Sequence, residues 1–202
     1  MQPLTKIVGG AAPMPHAHID TDVIMPKQFL KGIDRAGLGE KVFFDQRYDL
    51  AGALRRDFIL NRDGWKDSRF LIVGPNFGCG SSREHAVWGL MQFGVRALIG
   101  TSFAGIFNDN CQRNGLLTVT LSADLIAMLQ ACAGDPARNT LTLDLAAQAI
   151  TVVHDGTVIV FEIDARRKRA LLLGLDAIGT TLEDAPAIRQ FETARRDAYP
   201  WL

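Results

Sequence analysis

A chain of 202 residues whose 22 basic side chains balance 22 acidic ones can bury a core without disulfides, and its zero net charge gives no reason to expect nucleic acid or an anionic membrane as partner. Cys79, Cys111 and Cys132, widely spaced with no C-x-x-C pair, argue against a disulfide framework and against a metal or iron–sulfur site built from this chain alone. No apolar stretch reaches membrane-spanning length and the N-terminus lacks a signal core, so a cytoplasmic protein is expected.

In chain order, the apolar run Leu4 to Val8 is followed by Gly9-Gly10, Pro13 and Pro15, which predicts one edge strand and a turn. His16-Ala17-His18-Ile19-Asp20-Thr21-Asp22 comes next. An H-x-H beside two carboxylates admits a metal reading, but spacing supplies no further ligands. Asp20 and Asp22 would project to one side if the segment is extended, where one of them could face a site; spacing alone favours an acidic turn before a helix. Pro26 can open a helix with Phe29, Leu30 and Ile33 at helical spacing, ended by Gly37 and Gly39. Lys41-Val42-Phe43-Phe44 is a second apolar run, and the charged, aperiodic stretch to residue 68 is anchored through Phe58, Ile59 and Leu60.

Phe70-Leu71-Ile72-Val73 predicts a strand, and Val87, Leu90 and Met91 predict a helix stopped by Gly94. A strand over Val95 to Ile99 follows. A helix capped by Ser102 carries Phe103, Ile106 and Phe107 and closes at Gly115. Leu116 to Leu121 is the next strand, and Ser122 caps a helix with Leu125, Met128, Leu129 and Cys132. Strand–helix–strand units of this length predict parallel pairing with right-handed crossovers. Strands alone come next, Leu141 to Leu143, Ile150 to Val153 and Val158 to Phe161, the last two joined by an Asp155-Gly156 hairpin turn. Asp164 caps a helix Arg166 to Leu173. A last helix runs from Glu183 to Arg196, with Pro186 near its start and Ile188 and Phe191 on its buried side. The run Arg166-Arg167-Lys168-Arg169 reads as a solvated or subunit-facing surface. The fold class is α/β: a mixed sheet with a parallel βαβ core and antiparallel additions, in a single domain 1–202 with its core over 1–163 and a helical extension over 164–202.

Between the Phe70–Val73 strand and its helix lies Asn76-Phe77-Gly78-Cys79-Gly80-Ser81-Ser82-Arg83-Glu84-His85. Gly78 and Gly80 let a ligand approach the main chain. The peptide N–H groups opening a helix favour an anion, and Arg83 adds a fork that holds a carboxylate or phosphate with two hydrogen bonds. The stretch reads as an oxyanion or carboxylate cradle with two hydroxyls. It reads equally as a capping box, Ser81 accepting from the backbone and Glu84 reaching back. Hydrolysis by Cys79 or Ser81 with His85 lacks a G-x-S-x-G motif and a third member.

The motif Gly78-x-Gly80-Ser81-Ser82-Arg83-Glu84-His85 resembles the signature of the swivelling C-terminal domain of aconitases, and Asp20-Thr21-Asp22-Val23-Ile24-Met25-Pro26 resembles that domain's opening segment. With Lys27-Gln28-Phe29-Leu30-Lys31 and this chain length, the chain is similar to the small-subunit family of 3-isopropylmalate dehydratases. The resemblance is firm over roughly residues 16 to 121. It implies an aconitase-like swivelling β/β/α fold and a hydro-lyase that moves a hydroxyl between adjacent carbons of a branched malate, in leucine biosynthesis or on citramalate, dimethylmalate or another small hydroxy diacid. It implies a [4Fe-4S] cluster on a large partner subunit, with no cofactor or metal bound by this chain, and a dicarboxylate substrate. By motif position, Ser81 would be the general base and Asp22 would support catalysis by orienting groups of the large subunit. Ser82 and Arg83 would bind a substrate carboxylate, while Gly78, Gly80, Glu84 and His85 would hold the turn. The aconitase arginine beyond the opening segment has no clean counterpart, since Arg35 does not align with it, and a malate with an apolar substituent fits that loss of a charged contact. Cys79 takes no role.

Overall fold

The computed structural model describes residues 1–31 and 35–201. Its centre is a seven-stranded sheet made of Lys6–Met14 (β1), Phe70–Val73 (β2), Ala97–Gly100 (β3), Leu117–Thr120 (β4), Thr140–Asp144 (β5), Ala149–Val152 (β6) and Val158–Val160 (β7), in the order β4-β3-β2-β1-β5-β6-β7. The β1 to β4 half is parallel, and β5, β6 and β7 add to the other side of β1 in antiparallel fashion. Two short helices, Thr21–Ile24 (α1) and Phe44–Arg47 (α2), lie in the long connection after β1. His85–Phe93 (α3) and Gly105–Asn114 (α4) link the parallel strands, and Ala123–Ala133 (α5) leads to the antiparallel half. Ala165–Leu173 (α6), Ala177–Glu183 (α7) and Ala185–Ala198 (α8) end the chain.

Alternating side chains divide the core into two layers. Phe70 and Ile72 join Leu129 and Cys132 of α5 and Leu171 of α6 on one face. Leu71 and Val73 join Val87 and Leu90 of α3 and Phe107 and Cys111 of α4 on the other. A parallel strand covered on both faces must be apolar throughout, which is why Phe70-Leu71-Ile72-Val73 is an unbroken run with every residue buried. β5 and β6 alternate between buried and half-buried positions because only one of their faces is covered.

β1 is an interior strand, not the expected edge strand. Its glycines fit close neighbours: a Cβ on Gly9 would lie 2.5 Å from Cγ of Arg69. Its proline costs no ladder bond. Ala11 donates to the Asn139 carbonyl at 2.8 Å, and Pro13, facing the same way two residues on, lies beyond the last β1–β5 pair, Gly10 with Thr140.

Other expectations are corrected locally. Pro26 precedes only a 3-10 turn, Lys27–Phe29, and Gly37 precedes rather than ends a 3-10 turn, Leu38–Lys41; Ile33 lies outside the described residues. In the apolar run at 41–44, Val42 and Phe43 are buried, Phe43 in a left-handed conformation, and Phe44 begins α2. Leu60 is buried and Phe58 and Ile59 half-buried, as an anchor requires. Ser102 does not cap α4, which starts after Ala104, but accepts from the Asn76 N–H at 2.9 Å. Ser122 precedes α5 without a side-chain capping bond. Asp164 does cap α6, accepting from the Arg167 N–H at 2.9 Å.

The C-terminal arm contains an additional helix, α7, capped by Asp176. α8 starts at Ala185, and Ile188 and Phe191, expected on a buried side, are 39% and 65% exposed. An amphipathic pattern defines an apolar face without supplying what covers it. The basic run on α6 is also not uniformly solvated, since Arg167 is half-buried. Among the described residues, no helix is long and apolar enough to cross a membrane.

Candidate functional site

The glycine turn leaves the carboxyl end of β2 and is fastened to the segment before α1. The Gly78 N–H donates to the Ile19 carbonyl and the Thr21 N–H to the Cys79 carbonyl, each at 2.8 Å, with Asp20 and Cys79 paired as a parallel bridge. Two separate stretches of sequence thus become one surface. Gly78 and Gly80 both have left-handed φ, 78° and 96°. A Cβ on Gly78 would lie 2.1 Å from Cγ of Phe107, which leaves no room for a side chain, and one on Gly80 would lie 3.2 Å from Cβ of Asp20, a tight fit at a strained backbone conformation. Asn76, also at positive φ, is held by Ser102 and meets the His18 ring, Nδ2 to Nδ1, at 2.9 Å. That contact ties the second histidine of the H-x-H to the turn.

Asp20 and Asp22 do not share a face. Asp20 is the N-cap of α1, its Oδ1 accepting from the Val23 N–H at 2.7 Å, while Asp22 projects from the first helical turn and forms an ion pair with Arg83. The hydrogen bond from Arg83, reinforced by its charge, holds the Asp22 carboxyl below the usual carboxylate range. A carboxylate whose folded value is depressed contributes stability at pH values above its unfolded value and loses it as pH falls through the folded value. The pair is therefore intact at neutral pH. Arg83 gives Nη1 to Asp22 and keeps its other N–H groups free of chain acceptors among the described residues, so a bound carboxylate can still be held.

Ser81 is not a capping residue. α3 starts only at His85, and Glu84 makes no side-chain capping bond. Glu84 instead accepts from Nδ2 of Asn114 at 2.6 Å, and Asn114 Oδ1 accepts from the Trp88 indole at 2.9 Å. Asn110 Nδ2 reaches the Ser82 carbonyl at 3.4 Å, and the His85 ring lies 4.8 Å from that of Trp88. Glu84 and His85 thus fasten the turn to α4 and α3. The peptide N–H groups of Ser82, Arg83, Glu84, His85 and Ala86 have no acceptor within the described chain, which is the oriented donor row an anion needs.

What grips Ser81 is Thr21, a residue that sequence reasoning passed over. Thr21 is fully buried. Its Oγ1 lies 2.9 Å from Ser81 Oγ, accepts from the Ser81 N–H at 3.2 Å and donates to the Ser81 carbonyl at 3.3 Å. Its position inside the Asp20-Thr21-Asp22 segment was the available signal. Asn110 and Asn114, polar residues one helical turn apart on the side of α4 facing α3, were a second. The structure brings together Asp22, Ser81, Ser82 and Arg83 with Gly78 and Gly80 behind them. Arg35 lies outside that group, its guanidinium stacked 3.9 Å from the Trp88 ring centroid.

The three thiols do not fit an iron–sulfur cluster. Cys111 and Cys132 are packed in opposite core layers, burial pushes the Cys111 thiol up, and Cys79 donates to the His18 carbonyl at 3.4 Å.

Comparison with known proteins is consistent over the whole length. The family described as aconitase C-terminal domain matches residues 1–124, and the family described as the C-terminal domain of the 3-isopropylmalate dehydratase small subunit matches residues 178–202. The chain is 55% identical over 202 residues to "3-isopropylmalate dehydratase small subunit 1" of Mannheimia succiniciproducens, covering 100% of this chain and 99% of that protein. It is 53% identical to "3-isopropylmalate dehydratase small subunit 2" of Salmonella choleraesuis, covering 100% and 96%. A crystal structure of 3-isopropylmalate dehydratase from Methanocaldococcus jannaschii superimposes with a TM-score of 0.65 at 25% identity, covering 93% of this chain and 99% of that one.

Proposed function

The chain belongs to the small-subunit family of 3-isopropylmalate dehydratases, and on that premise we propose that its Ser81 turn is one half of an active site that interconverts 2- and 3-isopropylmalate through isopropylmaleate. Ser81 takes the proton alpha to a carboxylate as general base. Ser82, Arg83 and the free N–H row hold that carboxylate. Asp22 positions the Arg83 fork, a role within this chain rather than toward a partner. Thr21 positions Ser81 Oγ; its single hydroxyl proton, given to the Ser81 carbonyl at rest, can turn to the serine oxygen as that oxygen loses its own. The observation that carries the assignment is a serine clamped by a buried threonine beside an arginine that is aimed by a carboxylate and still has donors to spare.

The other half is a large subunit, and a [4Fe-4S] cluster on it would polarise the departing hydroxyl. Both belong in the cytoplasm. The direct test is co-purification with the cognate large subunit, iron analysis and an assay of isopropylmaleate by its absorbance. The assembled enzyme is expected to turn over and this chain alone to be inactive. Turnover by the purified chain without a second polypeptide would refute the division of labour, and faster hydration of citraconate than of isopropylmaleate would refute the substrate.

Thr21→Val is the test of the clamp. Val preserves the shape but leaves the Ser81 N–H and hydroxyl without their partner, and a lost hydrogen bond of this kind costs about 1–3 kcal/mol, or roughly 5- to 150-fold in turnover if felt at the transition state. Thr21→Ser should recover most of the rate. Equal losses in both variants would assign Thr21 to packing alone.

A further inference from the structure

Away from the Ser81 turn, where the C-terminal end of α4 meets α6 and the start of α7, a cavity of about 290 Å³ is lined by Arg113, Arg166 and Arg167 together with Leu171 and Leu175. Arg167 is the unusual member. It gives Nη2 to Thr118 Oγ1 at 2.8 Å, yet its Nε is enclosed without an acceptor, and neither it, Arg113 nor Arg166 forms an ion pair among the described residues. Desolvation is the largest influence on its guanidinium and pushes it below the usual arginine range.

A partly buried cation that makes no direct ion pair is held at a cost that a hydrogen-bonded anion would lower, the Asp164 charge offsetting only part of it, and three arginines line the one cavity. Two features restrict the anion. The carboxylates of Asp164 and Asp176 also line the cavity and would repel a multiply charged group such as phosphate. The leucines give an apolar wall that a bare inorganic ion would leave unused. We propose that this cavity is a second binding site, which takes a monocarboxylate with an aliphatic body. The carboxylate belongs either to a small free acid or to an acidic side chain presented by a partner protein. The same helix touches both places, since Asn110 and Asn114 of α4 bond to Ser82 and Glu84 while Arg113 lines the cavity.

Calorimetric titration of the full chain with sodium 4-methylpentanoate is the test, with 4-methylpentanamide and inorganic phosphate as controls. Saturable one-site binding of the carboxylate is expected, at least about tenfold tighter than either control and weakened about tenfold or more by Arg167→Met and by Arg113→Ala, as loss of a charge-assisted hydrogen bond implies. Arg113 is exposed, so that variant keeps the test decisive should Arg167→Met disturb folding. Repeating the titration on the assembled enzyme separates the sources. Binding that persists there identifies a free acid, whereas binding blocked by assembly, or an assembly loosened by the same substitutions, identifies a partner side chain. Carboxylate binding indifferent to both substitutions, or no binding together with unaltered assembly, overturns the proposal.

Discussion

Replacing Ser81 by alanine is expected to lower turnover of the assembled enzyme by about 10²- to 10⁴-fold, the range over which a positioned general base contributes, with little change in apparent substrate affinity. The loss is large because the hydroxyl is a poor base until its surroundings are arranged. Ionising a hydroxyl about as weakly acidic as bulk water at pH 7 costs roughly 11 kcal/mol. A helix terminus returns about 0.3–2 kcal/mol and a charged hydrogen bond about 1.5–3 kcal/mol. The balance must come from a closed, water-poor site and proton removal concerted with the rest of the reaction, which an open turn on this chain does not provide. The fold should survive, because Thr21 Oγ1 still bonds the residue-81 N–H and carbonyl at 3.2 and 3.3 Å. Steady-state kinetics on the assembled enzyme, with association of the two chains measured in parallel, decides the matter; turnover within tenfold of the parent would remove Ser81 from the base role.

Gly78→Ala carries the largest expected effect on stability. The position combines a left-handed φ of 78° with a Cβ site 2.1 Å from the Phe107 ring, and that ring is itself packed edge-on against Phe77 at 5.6 Å. A β-carbon in this conformation costs about 1–2 kcal/mol and overpacking a filled core about 1–3 kcal/mol. The sum, about 2–5 kcal/mol, is a large share of the roughly 5–15 kcal/mol that holds a domain together. Chemical denaturation of the isolated chain measures it. Relief of the clash must move either Phe107 or the turn, so activity of the assembled enzyme should fall as well. An unchanged unfolding midpoint would show that the turn has slack that its contacts do not suggest.

The parallel strands were legible because burial on both faces leaves a continuous apolar run, as in Phe70-Leu71-Ile72-Val73. The helices after β2 and β4 were legible because their stripes recur at helical spacing. β1 was misjudged as an edge since its glycines and proline are explained only by Arg69, Asn139 and the point where β5 ends. The connection from residue 45 to 68 stayed unread, because apart from the end of α2 and one 3-10 turn, Ile59–Asn61, it is irregular and held by contacts distant in sequence, as when the Trp65 indole donates to the Ala133 carbonyl at 2.7 Å.

For the site, sequence alone determined the residue types and their order: two glycines, two serines and an arginine after a strand, and an Asp-Thr-Asp segment before a proline. Those follow from local chemistry, since only glycine enters the left-handed region freely and only certain side chains can act as base or carboxylate fork. Tertiary structure alone decided which roles are exercised. Ser81 is equally suited to a cap or a base until α3 is seen to begin at His85 and Thr21 is found 2.9 Å from its hydroxyl. Asp20 and Asp22 look equivalent until one caps α1 and the other meets Arg83. The physical reason is that hydrogen bonds and ion pairs act over a few ångströms between residues some sixty positions apart, a proximity created by the β1–β2 pairing and not written in the spacing of either segment.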